Sequence, residues 1–321
     1  MGTIFVTGGA GFIGSHLCEA LLARGERLVA YDSFDDFYDP VVKKRNLEKC
    51  RDFSGFDMIE GDIRDTEAID TAVRCCEPET IVHLAARVGV RASIKESMLF
   101  KDVNVSGTAQ LLDTSRRRGV IRFIFSSSSS VYGNNQKIPF AEADPVGNPT
   151  SPYAATKHAG ELLCRTHQHR YGIGVTCLRL FTVYGPRLRP DLAIHKFARL
   201  MLDGVPIPVF GDGTTRRDYT YVADIVDGFL RVLHLGDGFR VFNLGRSKPV
   251  SLTNLIAALE SSIGRKAVID RRPPHPADVQ RTHADISRAR AELGYDPSTN
   301  LVTGLKHIID WLRSSATPER R

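Results

Sequence analysis

Thr3-Ile-Phe-Val-Thr7 runs without a break into Gly8-Gly-Ala-Gly11-Phe-Ile-Gly14, and the architecture can be worked out from this junction. The first five residues are apolar and β-favouring, a short buried strand. A helical pattern follows through Phe12, Ile13, Leu17, Ala20, Leu21 and Leu22, and it stops at Gly25. Leu28-Val-Ala-Tyr31 then reads as a second strand that ends at Asp32. Strand, glycines, helix, strand and acid make a βαβ unit that binds a dinucleotide. The glycines let the backbone approach a pyrophosphate seated on the helix N-terminus. Asp32 stands where a carboxylate hydrogen-bonds a ribose diol and repels a 2′-phosphate, which predicts NAD rather than NADP. The Gly-x-x-Gly-x-x-Gly spacing differs by one residue from the commonest fingerprint of this kind.

Outward from that unit the alternation continues. Strands are expected over 56–60, 80–84, 122–125 and 175–179, with helices over 66–75 and 103–118. Gly61-Asp62-Ile63 and Leu84-Ala85-Ala86 close two of these strands, and small residues at a strand's C-terminal end leave room for a ligand. The 122–125 strand feeds Ser126-Ser-Ser-Ser-Ser130-Val-Tyr-Gly133, which reads as hydroxyls delivered into a crevice rather than as a linker. Alternating strands and helices imply an α/β fold, a doubly wound Rossmann parallel sheet. Beyond about residue 187 the pattern loosens, with helices at 193–202, 222–233, 251–263 and 301–311. Residues 1–186 are expected to form the dinucleotide-binding domain, with some later segments returning to it. Residues 187–313 form mainly a smaller α/β substrate-binding lobe, and 314–321 a frayed tail.

Ser151 and Pro152 suit a helix start, and Tyr153 and Lys157 follow four residues apart, on one face. A phenol is a poor base at neutral pH, but a neighbouring ammonium favours its anion.

The composition excludes several classes. The 321 residues are 42% hydrophobic and 25% charged with a net charge of +6, ordinary for a globular protein and a weak basis for nucleic-acid binding. Arg116-Arg117-Arg118 before Gly119 reads as a helix C-terminus. The sequence has no apolar run of a membrane span and no leader pattern at its start, so a cytoplasmic protein is expected. The six cysteines lack metal spacing and are expected to be free thiols, mostly buried, and no metal site is predicted.

Taken in order, Thr7–Gly14, Leu84–Ala86, Ser126–Gly133, Tyr153–Lys157, Arg179–Pro186 and Arg217-Asp-Tyr-Thr-Tyr-Val222 resemble the extended short-chain dehydrogenase/reductase family, in its nucleotide-sugar epimerase branch. The resemblance runs from the first strand to about residue 300. Within the branch, Val88-Gly-Val-Arg91, Phe181–Pro186 and Arg189-Pro-Asp-Leu192 look most like UDP-glucuronate 4-epimerases. The resemblance implies Ser128, Tyr153 and Lys157 as the catalytic set. It implies cofactor contacts at Gly8, Gly11, Phe12, Ile13, Gly14, Asp32, Asp62, Ile63, Leu84, Ala85, Ala86, Asn104, Ser126, Tyr153 and Lys157. Arg217 matches an arginine on the sugar nucleotide's diphosphate, Asp278 an acid near its ribose, and Val209 a further substrate contact. Many relatives have arginine where this chain has His275. A homodimer through the 103–118 and 153–171 helices is also implied.

The implied chemistry is a redox loop that leaves NAD unchanged. Tyr153, kept anionic by Lys157 and the cationic nicotinamide, takes the proton of the sugar's 4-OH while C4 gives up hydride, and Ser128 hydrogen-bonds the same oxygen. The 4-keto sugar turns over and takes the hydride back on its other face. Related 4,6-dehydratases and UDP-glucuronate decarboxylases place acids in the stretch before Val-Tyr-Gly, where this chain has Ser129 and Ser130. UDP-glucose or UDP-N-acetylglucosamine as the epimerase substrate stays open, and a catalytically silent NAD sensor is the remaining alternative. For a uronate, Ser129, Ser130 and Thr182 are expected to hold the C6 carboxylate, with Arg189 and Arg91 as nearby cations.

Overall fold

The structure, a computed structural model, describes residues 2–274 and 279–315. Seven parallel strands make the main sheet: β1 (Thr3–Thr7), β2 (Leu28–Asp32), β3 (Phe56–Glu60), β4 (Pro78–His83), β5 (Arg122–Ser128), β6 (Gly174–Leu180) and β11 (Phe239–Leu244). The order across it is β11-β6-β5-β4-β1-β2-β3. The chain builds β1 to β3 in one direction and then crosses back to lay β4 on the other side of β1. The two halves part between β1 and β4, and a doubly wound sheet opens its ligand crevice outside the strand ends at that point.

Alternate residues of each strand serve opposite faces. Ile4 and Val6 of β1 join one buried cluster with Ala30, Val82, Ile124 and Leu178. Phe5 joins the other, with Val29, Ile81, Phe123, Phe125, Val175 and Cys177. Both faces are covered, which is why these strands read as near-continuous apolar runs. The Phe12–Ala23 and Val222–Val232 helices pack together on one side. The Thr66–Cys76, Thr108–Arg117 and Pro152–Tyr171 helices pack on the other.

The remaining strands pair off in twos. β7 (Thr182–Tyr184) lies beside β10 (Tyr219–Tyr221), β8 (Ile207–Phe210) beside β13 (Ile269–Arg272), and β9 (Arg216–Arg217) beside β12 (Val250–Ser251). These short pairs and the Ala193–Asp203 and Leu252–Ile263 helices stand over the crevice mouth.

Several boundaries differ from expectation. β5 does not stop at Phe125 but carries the first three serines to Ser128, and Ser129–Tyr132 forms a tight 3-10 turn. The last helix runs Leu301–Ser315, past Trp311, so Ser314 belongs to it; residues 316–321 lie outside the described residues. β11 was not foreseen, because Arg240 and Asn243 interrupt its apolar run, yet it completes the main sheet beside β6. All six cysteines are free thiols, with Cys18, Cys50, Cys164 and Cys177 buried. Among the described residues no helix is long and apolar enough to cross a membrane.

Candidate active site

The crevice at the β1–β4 parting opens into one cavity of about 820 Å³ that extends under the C-terminal lobe. At its floor Gly8 has φ +70°, a left-handed conformation natural to glycine, and a Cβ there would sit 2.7 Å from the Ala85 nitrogen. A Cβ on Gly14 would meet the Gly8 carbonyl oxygen at 2.1 Å. The turn is therefore too tight for side chains. No side chain caps the Phe12–Ala23 helix at Gly11 and its first turn holds no acid, so its first N–H groups remain available to an anion.

Asp32 ends β2 at 8% exposure. Its Oδ2 accepts the Ala10 N–H at 3.1 Å and its Oδ1 the Phe34 N–H at 2.9 Å. Burial raises the carboxyl pKa, while Lys43 and the two N–H groups pull it back. Lys43 itself donates to the Asp35 carbonyl at 2.6 Å. Asp62 and Ile63 line the same wall. The Asp62 carboxylate pairs with Arg64 at 2.6 Å; burial alone would raise its pKa, but the Arg64 side chain and N–H hold it below the ordinary value. Cradle, acid and depth together fit a dinucleotide.

Leu84, Ala85 and Ala86 form the opposite edge, anchored from below by His83. Its Nδ1 lies 2.7 Å from the Thr7 hydroxyl and its Nε2 3.0 Å from the Thr108 hydroxyl. The Thr108 hydroxyl donates to the Asn104 carbonyl at 2.7 Å, so it accepts from Nε2–H, and Thr7 donates to Nδ1. Burial pushes His83 down to about 3, and the ring is neutral. Asn104 stands behind this edge. It does not line the cavity; its Oδ1 accepts the Arg87 N–H at 2.8 Å, and its Nδ2 donates to the Arg87 carbonyl at 2.9 Å and the Thr156 hydroxyl at 3.0 Å. It sits in a π-helical turn, Asp102–Gly107, and ties the Arg87 loop to the Tyr153 helix.

That helix, Pro152–Tyr171, starts as its sequence promised: the Ser151 hydroxyl accepts the Ala154 N–H at 3.1 Å and Pro152 opens the first turn. It lies close to β5 because Gly160 leaves room; a Cβ there would sit 2.4 Å from the Phe125 ring. Lys157 is buried and donates to the Ser126 carbonyl at 2.8 Å. The Ser128 hydroxyl faces Tyr153; it donates to Ser130 Oγ at 3.1 Å and accepts the Ser130 N–H at 3.1 Å. Burial raises the Tyr153 pKa, and Ser128 and Arg189 draw it back. Burial takes Lys157 itself down to about 8. Its ammonium is turned to the strand carbonyl, one helical turn from Tyr153.

Across the cavity stand Thr182, Arg189, Arg91 and Arg217, with Ser129 and Ser130 at the end of β5. Arg189 grips Asp191 through two bonds, at 2.9 and 2.8 Å, and lies 5.4 Å from the Phe37 ring centre. Arg91 stacks on Phe210 at 4.4 Å. The Val209 side chain is buried in the core, and its neighbours Pro208 and Phe210 line the cavity. Asp278 and His275 lie outside the described residues. Sequence reasoning missed Arg87 and Phe37, which line the cavity and stack at 5.1 Å; only their loop positions after β2 and β4 hinted at them.

A doubly wound sheet with a glycine cradle, a ribose-directed acid and a serine, tyrosine and lysine at one strand end defines a nucleotide-dependent enzyme of redox type. Residues 4–245 match the model of the NAD dependent epimerase/dehydratase family. The chain is 39% identical to the UDP-glucuronate 4-epimerase of Thermodesulfobacterium geofontis, over 98% of this chain and 97% of that protein. Its structure superposes with a TM-score of 0.92 on UDP-glucuronic acid 4-epimerase from Bacillus cereus, solved with UDP-glucuronic acid and NAD, at 36% identity over 98% of this chain and 99% of the other. UDP-glucose 4-epimerase of Thermotoga maritima, solved with UDP-glucose, gives a TM-score of 0.91 at 32% identity, covering 98% and 100%. The chain belongs to the NAD dependent epimerase/dehydratase family.

Proposed function

We propose that this chain is an NAD-dependent 4-epimerase that interconverts UDP-glucuronate and UDP-galacturonate. The observation that carries the reading is the end of β5. Ser128 faces Tyr153 there and draws its pKa down, and among the described residues the acids that line the cavity are Asp32, Asp35, Asp62 and Asp191, none of them in the 126–133 stretch. A 4-keto uronate is a β-keto acid; when CO₂ leaves, the electron pair stays as an enolate at C5, which an acid must then protonate. Ser129, Ser130 and Thr182 offer hydrogen bonds to a carboxylate without acting as acids at neutral pH.

Gly8, Gly11, Gly14, Asp32, Asp62, Ile63 and the 84–86 edge would hold NAD. When bound, NAD supplies the hydride acceptor for C4 and a positive charge beside Tyr153. Tyr153 takes the proton from the 4-OH and later returns it, and Ser128 steadies the charge on that oxygen. Lys157 fixes the strand end through the Ser126 carbonyl. Arg189 or Arg217 would neutralise the diphosphate, and Arg189 also favours the phenolate. Residues 187–313 would contribute most of the substrate lobe and residues 1–186 the dinucleotide domain, with β11 returning to it.

The same reading makes the protein a cytoplasmic homodimer joined through the 103–118 and 153–171 helices, where Leu162 and Tyr171 expose 52% and 51% of their surface. The test is to incubate the protein with UDP-glucuronate and UDP-glucose separately and identify the products. UDP-galacturonate without CO₂ release supports the reading. Equal rates on UDP-glucose overturn the uronate assignment, and CO₂ with a UDP-pentose replaces it with decarboxylation.

A further inference from the structure

Three consecutive residues of β5 meet three residues spaced four apart on one face of the Pro152–Tyr171 helix. Ser128 faces Tyr153 and draws its pKa down, Ser126 accepts from Lys157 at 2.8 Å, and the Ser127 hydroxyl donates to Glu161 Oε1 at 2.5 Å. Spacings of i, i+4 and i+8 place all three helix residues on one stripe. The third contact reaches back from the cavity: Ser127 lines it and Glu161 does not.

Glu161 also receives Arg179 of β6, through Nε at 2.9 Å and Nη2 at 2.8 Å. The two side chains are 6% and 5% exposed. Arg179 continues to the Tyr132 hydroxyl at 3.0 Å, and Tyr132 donates to Asn243 of β11 at 2.7 Å. One buried carboxylate therefore joins the catalytic helix to β5 and β6, and through Tyr132 to β11. A buried ion pair adds little to stability compared with apolar residues of the same size, so its presence here calls for another reason.

We propose that Glu161 is a positioning residue for the epimerase reaction: it fixes the register between β5 and the catalytic helix and supplies the negative charge that keeps Lys157 an ammonium. The proposal rests on the roles of Ser128, Tyr153 and Lys157 given above. Few groups compete for that role. On its own helix Lys157 faces Tyr153, Glu161 and Cys164. On β5 it meets the Ser126 carbonyl and the Phe125 ring at 5.1 Å. On β4 it meets neutral His83, and on β6 lie Cys177, behind Cys164, and Arg179. Glu161 is the carboxylate of that set. Burial lowers the Lys157 pKa, and Cys164 and then Glu161, the one carboxylate of the two, oppose it. Loss of the carboxylate, with the guanidinium left in place, therefore moves deprotonation of Lys157 to lower pH.

The experiment compares kcat, KM, pH profile and Tm for wild type, Glu161→Gln, Ser127→Ala and Glu161→Leu/Arg179→Met, all purified with NAD. Glu161→Gln should lose roughly tenfold to a hundredfold in kcat with little change in KM. Its alkaline limb should move down by about one pH unit. Ser127→Ala, which deletes one hydroxyl, should lose about threefold in kcat at unchanged Tm. The double variant removes both buried charges. It should melt near wild type yet keep the low kcat and the displaced limb, and it decides the matter if Glu161→Gln fails to fold. Wild-type kcat and limb in both Ser127→Ala and the double variant overturn the proposal and leave Glu161 a purely structural residue. Tyr153→Phe run alongside separates the two levels: its full activity refutes the catalytic assignment itself, whatever Glu161 does.

Discussion

The two walls of the cleft are built on different principles. On the β5 side, Ser126, Ser127 and Ser128 are tied to Lys157, Glu161 and Tyr153 by contacts buried between sheet and helix. On the lobe side, Arg189 takes its partner from two residues away, Arg91 rests on an aromatic ring, and the supporting strands come in isolated pairs. The first wall is over-determined and suits chemistry that tolerates little misplacement. The second is held by surface pairing and stacking and suits recognition of a variable ligand. Both UDP-glucuronate and UDP-glucose epimerases superpose on this chain with TM-scores above 0.9, so specificity must come from a few side chains rather than from the frame.

The contrast predicts a graded set of losses. Tyr153→Phe should reduce kcat about a thousandfold, because a phenyl ring carries no proton, while circular dichroism and Tm stay near wild type. Near-normal turnover would dissolve the distinction between the walls. Asp32→Ala should weaken NAD retention roughly tenfold and narrow the preference over NADP, measured as cofactor content after gel filtration. Co-purified NADP in the wild type would show that Asp32 does not select.

Just past the end of β5, Ser129→Ala/Ser130→Ala should lower kcat/KM for UDP-glucuronate about tenfold and leave UDP-glucose within about twofold, since only the uronate presents a carboxylate to these hydroxyls. Equal losses on both sugars would make the serines part of the catalytic wall.

The smallest effect concerns the cofactor-free protein. Burial depresses Lys157 to about 8, below its ordinary 10.5. Between these values the unfolded chain holds a proton that the folded chain lacks, so stability rises with pH across that window. Denaturant melts at pH 7.5 and 9.5 should therefore show wild type gaining on Lys157→Met at the higher pH. A constant gap would mean Lys157 remains fully charged in the fold.

Legibility in the sequence divides along the same line. The glycine turn, Asp32 and the Tyr153–Lys157 face are each marked by a short local pattern (a glycine spacing, an acid at a strand end, a pair four residues apart on a helix), and pattern alone locates them. Ser128 was found as a position, although its strand was drawn three residues short. The partners of Asn104 and Val209 were not legible, because a polar residue in a helix and an apolar one in a strand do not declare which side they face. Glu161 stood one turn beyond Lys157 in plain sight; its meaning lay in Arg179, Ser127 and Tyr132, brought to it from three separate segments. β11 was invisible for a related reason: an edge strand with two polar residues is recognised by β6, not by its own sequence.

The account's central claim is that hydride leaves and returns to one carbon while the C6 carboxylate stays in place. UDP-glucuronate deuterated at C4 tests it directly, with the products followed by NMR and the headspace assayed for CO₂. The account predicts UDP-galacturonate with the deuterium still at C4 and no CO₂ above background. Deuterium lost from C4 to solvent, or a UDP-pentose formed with stoichiometric CO₂, would contradict it.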